Sequence, residues 1–438
     1  MLLIKGGRVY GVPSESTDVL IKEGSIAEVS ANIPKTDNMT VINAKGCIVA
    51  PGLVDMHVHF RDPGYEYKED ILTGAAAAAA GGVTTCCCMP NTLPVIDNTK
   101  AVKYIINKAK GAAVSVLPYG SVTIGQNGEE LSDFAALKKA GALALSDDGN
   151  PVQNARLMYI AMQLAQEQKL LIISHCEDAD MVQNSAVNEG KVSWELMLPG
   201  RPAIAEEIMV ARDAMLAAKT GARIHIAHVS TARSVDIIRK AKEAGIKITA
   251  ETCPQYFSLT EDEVLLQGAI ARVNPPLRTK DDVEAIINGL ADGTIDAIAT
   301  DHAPHSSDEK ALPLTEAPGG MIGLETSLAL TLTKLYHTDR LGIDNVIELM
   351  STNPARILGL GVHGGAPLDA DKYSGATAPL TPMAVADIVI FDPDEEWTVN
   401  PEKFQSKARN TPFTGMKLRG KVKHTISRGK VVYSDCNI

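Results

Sequence analysis

The chain has 438 residues, 45% of them hydrophobic, and a formal net charge of −11, enough apolar content for a full core and enough length for one barrel with an accessory module. That acidity excludes a nucleic-acid surface, because no run of Lys and Arg interleaved with aromatics offsets it; an anionic substrate would need local positive charge. Seven cysteines, an odd number that includes the consecutive Cys86, Cys87 and Cys88, exclude a disulfide framework in a chain of this size and predict a reducing compartment.

The opening segment MLLIKGGRVYG shows no basic leader followed by a long apolar stretch, and nothing later reaches about 18 uncharged apolar residues, so a cytoplasmic protein with no membrane partner is expected. Residues 2–10, 17–29 and 40–48 read as short alternating strands. From about residue 50, apolar runs alternate with helical patterns. The runs are IVAPGLVDMHVH (48–59), GVTTCCCM (82–89), VSVLPYGSV (114–122), ALALSD (142–147), LLIISH (170–175), RIHIAHV (223–229), IKITAET (246–252) and IDAIATD (295–301). Eight such runs close a β/α barrel, and helices predicted over 66–81, 154–169, 205–220 and 232–244 return the chain each time to the far end of the strands. The alanine run Ala75 to Ala80 reads as close helix packing, not low complexity, and Gly81-Gly82 ends that helix. The stretch 361–380, rich in Gly, Ala and Pro, is expected to carry the chain back to the accessory module, where ADIVIFD, KHTISRG and KVVYSD resume the strand texture. The expected fold class is therefore α/β: a (β/α)8 TIM-type barrel over 49–375, with a small discontinuous β-sandwich domain formed by the N- and C-terminal segments, 1–48 plus 376–438.

In such a barrel, reactive residues sit at the C-terminal ends of the strands. His57 and His59 are two apart on strand 1 and project to one face; Asp148, His175, His228 and Asp301 close strands 4, 5, 6 and 8. An isolated HxH pair is a chance occurrence more often than a metal site, but this convergence suits one or two borderline-soft divalent ions, zinc (Zn2+) above all, with room for water. His225, His337, His363 and His424 are assigned to packing or surface. The three consecutive cysteines fall on alternate faces and read as small apolar filling, with Cys176 and Cys253 similarly inert.

At HVHFRDPG (57–64), MPNT (89–92), SDDG (146–149), HCED (175–178), HVST (228–231), NPPLR (274–278) and DHAPH (301–305) the chain closely resembles the dihydroorotases of the amidohydrolase superfamily, over nearly its whole length. The resemblance implies a small-molecule substrate and the reversible interconversion of N-carbamoyl-L-aspartate and L-dihydroorotate in pyrimidine biosynthesis. SDDG looks like the long bacterial class I form, in which an aspartate stands where related enzymes carry a carboxylated lysine. Two zinc ions are then expected, one on His57 and His59 and the other on His175 and His228, with Asp148 bridging and its neighbour Asp147 left as the alternative. Asp301 matches a ligand that also serves as general acid/base toward a metal-activated hydroxide. Arg61, Asn91 and His305 match the grip on the substrate α-carboxylate; Asn274 and the backbone at Gly319 and Gly320 match further contacts. A homodimer and an association with aspartate transcarbamoylase are among the implied partners. The rival readings are another cyclic amidase (dihydropyrimidinase, hydantoinase or allantoinase), against which Arg61 argues, and a non-catalytic homologue scaffolding aspartate transcarbamoylase, against which the six matching ligand positions argue. The loop 306–320 is expected either to order over bound substrate or to be merely a variable surface loop.

Overall fold

In the computed structural model, which describes residues 1–360 and 380–435, the N-terminal alternation becomes β1 (Leu2–Val9), β2 (Thr17–Lys22), β3 (Ser25–Ser30), β4 (Thr40–Asn43) and β5 (Ile48–Pro51). The run expected as one strand over 48–59 is two strands, because the backbone turns at Gly52, where a Cβ would collide with the Thr84 side chain. Beyond that glycine come β6 (Leu53–Val58), β7 (Val83–Cys88), β8 (Ser115–Pro118), β9 (Leu145–Ser146) and β10 (Ile172–Ser174). A two-stranded parallel excursion, β11 (Val187–Asn188) and β12 (Gly200–Arg201), precedes β13 (Ile224–Ile226), β14 (Ile248–Thr252) and β15 (Ala297–Ile298).

Pairing within this middle segment is parallel throughout. β6, β7 and β8 form one sheet, and β9, β10, β13, β14 and β15 form another. Single parallel bridges join them at both margins, Gly120 to Leu145 and Val58 to His302, so the ladder returns to its first strand. The connecting helices follow the predicted pattern at Ala155–Glu167, Ile204–Thr220 and Ala232–Glu243. The helix expected from residue 66 begins instead at Ile71, because Asp70 accepts from the Leu72 and Thr73 amides and caps it there. Residues 61–70 are thereby freed to form the loop that carries Arg61.

The tail adds β16 (Ile388–Thr398), β17 (Lys417–Ser427) and β18 (Lys430–Ser434). β16 pairs antiparallel with β5, so the two ends of the chain share one eight-stranded sheet in the order β18-β17-β16-β5-β1-β2-β3, with β4 beside β1. Ile4, Val19, Ile21, Ile42 and Val49 from the first segment pack against Ile388, Ile390 and Ile426 from the last. Each such side chain contributes on the order of 1.5–3 kcal/mol by leaving water. The molecule is thus an α/β fold with both parallel and antiparallel sheets. The stretch expected to lead back to this sheet, residues 361–379, lies outside the described residues, as does His363. No described helix is long and apolar enough to cross a membrane.

Strand alternation decides what faces the middle of the ring. Cys86 and Cys88 pack outward with Val83, Ala75 and Ala79, whereas Cys87 packs with Met56, Tyr119, Ile173 and Ala227. On β13 and β14, Ile224, Ile226, Ile248 and Ala250 join the outer layer, which leaves His225, Thr249 and Glu251 on the opposite face.

Candidate metal centre

The register of β6 against β7 slips between Asp55 and Val58, a bulge at the point where His57 emerges. Asp55, buried beneath it, accepts from the His57 amide and from the Thr300 amide and hydroxyl, tying the end of β6 to the segment after β15. Burial pushes the Asp55 carboxyl up to about 7, although these bonds pull it down.

The six predicted ligands converge. His57 Nε2 lies 3.3 Å from Asp148 Oδ1 and 3.6 Å from Asp301 Oδ1; His59 Nε2 lies 3.1 Å from Asp301 Oδ1 and 3.4 Å from Asp148 Oδ2. His175 Nδ1 is 2.8 Å from His228 Nε2, and each is 3.4 Å from Asp148 Oδ1. Two groups, His57 with Asp148 and His228, and His57 with His59 and Asp301, place their ligand atoms within 4.8 Å of one another. All six residues are buried.

Four imidazoles and two carboxylates form a nitrogen and oxygen donor set suited to zinc. His57 Nε2, fully buried, has no hydrogen-bond partner, which is the state of a ring nitrogen reserved for a metal. The charges of the cluster are closely coupled. Burial would raise the Asp148 carboxyl, yet His57, His175 and His228 hold it well below the usual carboxylate range. Burial would lower His175, yet Asp148 and Glu177 lift it to about 10. The mixed nitrogen and oxygen donor set and the unpartnered Nε2 of His57 fit a metal cation.

Between the adjacent aspartates the geometry discriminates. Asp147 turns away to accept from the amides of Val122 (2.8 Å) and Thr123 (3.2 Å) and from the Thr123 hydroxyl (2.5 Å), so only Asp148 faces the imidazoles. Arg61, His228 and Asp301 have φ of 60°, 36° and 49°, the left-handed region that costs a non-glycine residue on the order of 1–3 kcal/mol. Strain of that size collects where side chains are aimed for function.

The remaining predicted residues adjoin the same cluster. Asn91 accepts from His59 Nδ1–H at 2.9 Å and donates from Nδ2 toward the Asp148 carboxylate at 3.4 Å, so it orients the centre as well as facing the pocket. Asn274 Nδ2 stands 3.5 Å from His175 Nε2, and its Oδ1 accepts from Arg201. Arg61 donates from Nε to the Pro304 carbonyl, and its guanidinium lies 3.3 Å from His305 Nε2. His305 donates from Nε2–H to the Gly319 carbonyl at 2.9 Å, while Lys68 Nζ approaches its Nδ1 at 3.4 Å. Gly320, at φ +136°, has no room for a Cβ, which would come 2.7 Å from Ala303.

Several participants were not singled out in the sequence. Glu251 accepts from His57 Nδ1–H at 2.7 Å and could have been found, since it sits near the C-terminal end of a run, IKITAET, to which no residue was assigned. Glu177 lies inside the HCED motif and pairs with Arg201 at 3.0 Å. His225, assigned to packing, instead contacts Glu251 at 3.4 Å and Thr249 at 2.8 Å. Lys310 was marked only through its loop, 306–320, and Asn410 had no signal at all. Lys310 Nζ donates to the carbonyls of Arg272, Pro318 and Gly320, and Asn410 Nδ2 to those of Ala303 and Gly320, fixing the loop after β15 from behind. That loop opens with a short helix, Ser307–Lys310, capped by Ser306. The cysteines behave as expected: burial pushes the Cys87 thiol up to about 12 and raises those of Cys86, Cys88, Cys176 and Cys253. His337 and His424 lie away from the cluster and contact the Pro393 carbonyl and the Ser434 hydroxyl.

Residues 46–234 match the family model described as dihydro-orotase-like. A dihydroorotase of Citrifermentans bemidjiense is 49% identical over 437 residues, 99% of each chain. Dihydroorotases of Acetivibrio thermocellus and Clostridioides difficile are each 48% identical, the first over 98% of both chains and the second over 99% of this chain and 100% of its own. Among solved structures, an L-hydantoinase (dihydropyrimidinase) from Arthrobacter aurescens superposes with a TM-score of 0.85 at 25% identity, covering 100% of this chain and 97% of that one. A dihydropyrimidinase from Brevibacillus agri reaches 0.84 at 24% identity over 99% and 95% of the two chains, a likeness of fold.

Proposed function

Because the chain belongs to the dihydroorotase family, whose members close and open a cyclic amide at a carbon–nitrogen bond, we propose that it interconverts N-carbamoyl-L-aspartate and L-dihydroorotate at the cluster around His57. The ring of parallel strands is read as a (β/α)8 barrel and the shared end sheet as a β-sandwich. β5 belongs with the sandwich, since it pairs with β1 and β16.

His57, His59 and Asp301 would hold one zinc and His175 and His228 the other, with Asp148 between them. Ions so held supply activated water and polarise the attacked carbonyl. Every other requirement falls to the chain. Asp301, with Oδ1 3.1 Å from His59 Nε2 at the rim of the cluster, takes the proton from the attacking water and returns it to the amide nitrogen that leaves; in ring closure it runs the sequence backward. Arg61 supplies the positive charge that an acidic protein needs to hold an α-carboxylate, in the bidentate geometry natural to a guanidinium. Asn91 links the two halves through His59 and Asp148.

The observation that carries this reading is the convergence of four imidazoles and two carboxylates beside a partly buried guanidinium. Purified protein should contain up to two zinc ions per chain and catalyse both directions. Ring opening needs Asp301 ionised and ring closure needs it protonated, so the two rates should move oppositely with pH. Asp301→Ala should lower both by about 10²–10⁴-fold. Unchanged turnover in that variant overturns the mechanism.

A further inference from the structure

The end of β14 carries a carboxylate where nothing about an outer helix or a solvent face requires one. Glu251 is 0% exposed, and so are the two histidines it touches, His57 and His225. An ionised carboxyl in such a place is costly unless partners compensate it. Its partners are arranged in order: Oε1 receives the His57 Nδ1–H at 2.7 Å, and Oε2 faces His225 Nε2 at 3.4 Å, with neither of these last two atoms having another hydrogen-bond partner. His225 is itself fixed from the other side, its Nδ1 lying 2.8 Å from Thr249 Oγ1. His225 and Thr249 are register partners on β13 and β14, and Glu251 follows two residues later on the same face. The paired strands β13 and β14 thus meet β6, from the other sheet, through one chain of side chains.

We propose that Glu251 is a positioning residue of the metal centre: it holds His57 by Nδ1–H, so that Nε2 is the ring nitrogen turned toward Asp148 and Asp301, and His225 keeps Glu251 from swinging away. The unpartnered Nε2 of His57 is the complement of this contact, since a ring clamped at one nitrogen presents the other at a fixed angle. Both candidate ligand groups include His57, so an error in its ring would disturb both metal positions at once. His59 and His175 lack a carboxylate this close to the nitrogen that faces away from the cluster: His59 has the Asn91 amide oxygen at 2.9 Å there, and His175 has Glu177 at 3.8 Å.

The inference rests on the zinc reading, and the experiment separates the two. Metal-stripped wild type and Glu251→Gln are titrated with zinc against a chromophoric chelator, and their metal-free melting curves are compared. Glu251→Gln should weaken zinc by about 10–100-fold, the usual cost of losing a carboxylate behind a metal-bound imidazole, while the metal-free melting temperature stays close to wild type. Wild type that binds no zinc would sink the metal reading itself. Wild-type zinc binding with an affinity unchanged in Glu251→Gln would overturn the positioning role alone, as would a loss confined to the metal-free melt. Should Glu251→Gln fail to fold, Glu251→Asp carries the same test, because it keeps the charge and withdraws the carboxylate from Nδ1; zinc affinity equal to wild type there overturns the proposal.

Discussion

Around His57 the pocket wall consists of side chains from strand ends, pressed against one another and sealed from water; around His305 it consists of backbone carbonyls held in place from behind by Lys310 of the same loop and by Asn410 from far along the chain. In the first region His57, Glu251 and His225 are all 0% exposed, and each faces the next across 2.7–3.4 Å. In the second, Arg61 reaches the Pro304 carbonyl, His305 the Gly319 carbonyl, and Lys310 three carbonyls of two loops. A metal needs donors at fixed angles, which rigid strands provide. A substrate that enters and leaves needs a wall that can be tightened without rebuilding the core, which loops provide. Substitutions in the first region should therefore change metal content, and those in the second should change KM while metal content stays the same.

The largest effect is expected at Asp148, which stands 3.3–3.4 Å from a nitrogen of each of the four candidate imidazoles. Asp148→Asn should cut zinc content sharply and lower kcat/KM by more than about a thousandfold, since metal charge stabilisation amounts to several kcal/mol. Full zinc retention in that variant would break the assignment of the metal to this half. Next comes Arg61→Met. Hydrogen bonds to charged groups contribute about 1.5–3 kcal/mol, so kcat/KM for dihydroorotate should fall by about ten- to a hundredfold, chiefly through KM, with zinc content intact. A wild-type KM would mean that the ring is held without its carboxylate, as the hydantoinase alternative requires.

The same division explains what could be read in the sequence. A strand end in a β/α alternation is a recognisable place, so His57, His59, His175, His228, Asp301 and the pair Asp147-Asp148 could be found from spacing alone. Glu251 occupied such a place too and was passed over because a lone glutamate carries no motif. The HxH spacing does not announce the bulge that presents it, nor does IVAPGLVDMHVH reveal the break at Gly52, which depends on Thr84 arriving from the neighbouring strand. Asp147 and Asp148 could not be separated, because which carboxylate turns inward depends on whether Val122 and Thr123 offer their amides. Of the carbonyl-holding residues, Asn410 was beyond reach in principle. Asn410 acts on Ala303 and Gly320 from 107 and 90 residues away, and nothing local to it shows that.

A smaller effect should follow from Lys310→Met, which keeps the buried bulk and removes the donor to the Arg272, Pro318 and Gly320 carbonyls. Each such bond has a net contribution of about 0.5–1.5 kcal/mol, and only part of the loosening reaches Gly319 and Gly320, so KM should rise by roughly three- to tenfold. Zinc content and kcat should stay near wild type. A loss of zinc in Lys310→Met would show that the two halves are one mechanical unit.

The smallest effect concerns pH. Burial first, and then the charges of Arg61, Lys68 and Lys310, hold His305 down to about 2 against the weaker pull of the Gly319 carbonyl. The ring is therefore neutral well before pH 5, donating from Nε2–H and receiving Lys68 at Nδ1, and it changes no charge between pH 5 and 8. His305→Asn should raise KM by a factor that stays constant across that range. A bound α-carboxylate pulls the ring upward, but lifting it by four units, to about 6, requires about 5.4 kcal/mol. One charge-assisted hydrogen bond contributes about 1.5–3 kcal/mol, so the substrate alone does not make His305 titrate near neutrality. A KM ratio between variant and wild type that shifts tenfold from pH 5.5 to 8 would mean that the cations around His305 open away when substrate enters, and that the substrate half rearranges more than its carbonyl contacts imply.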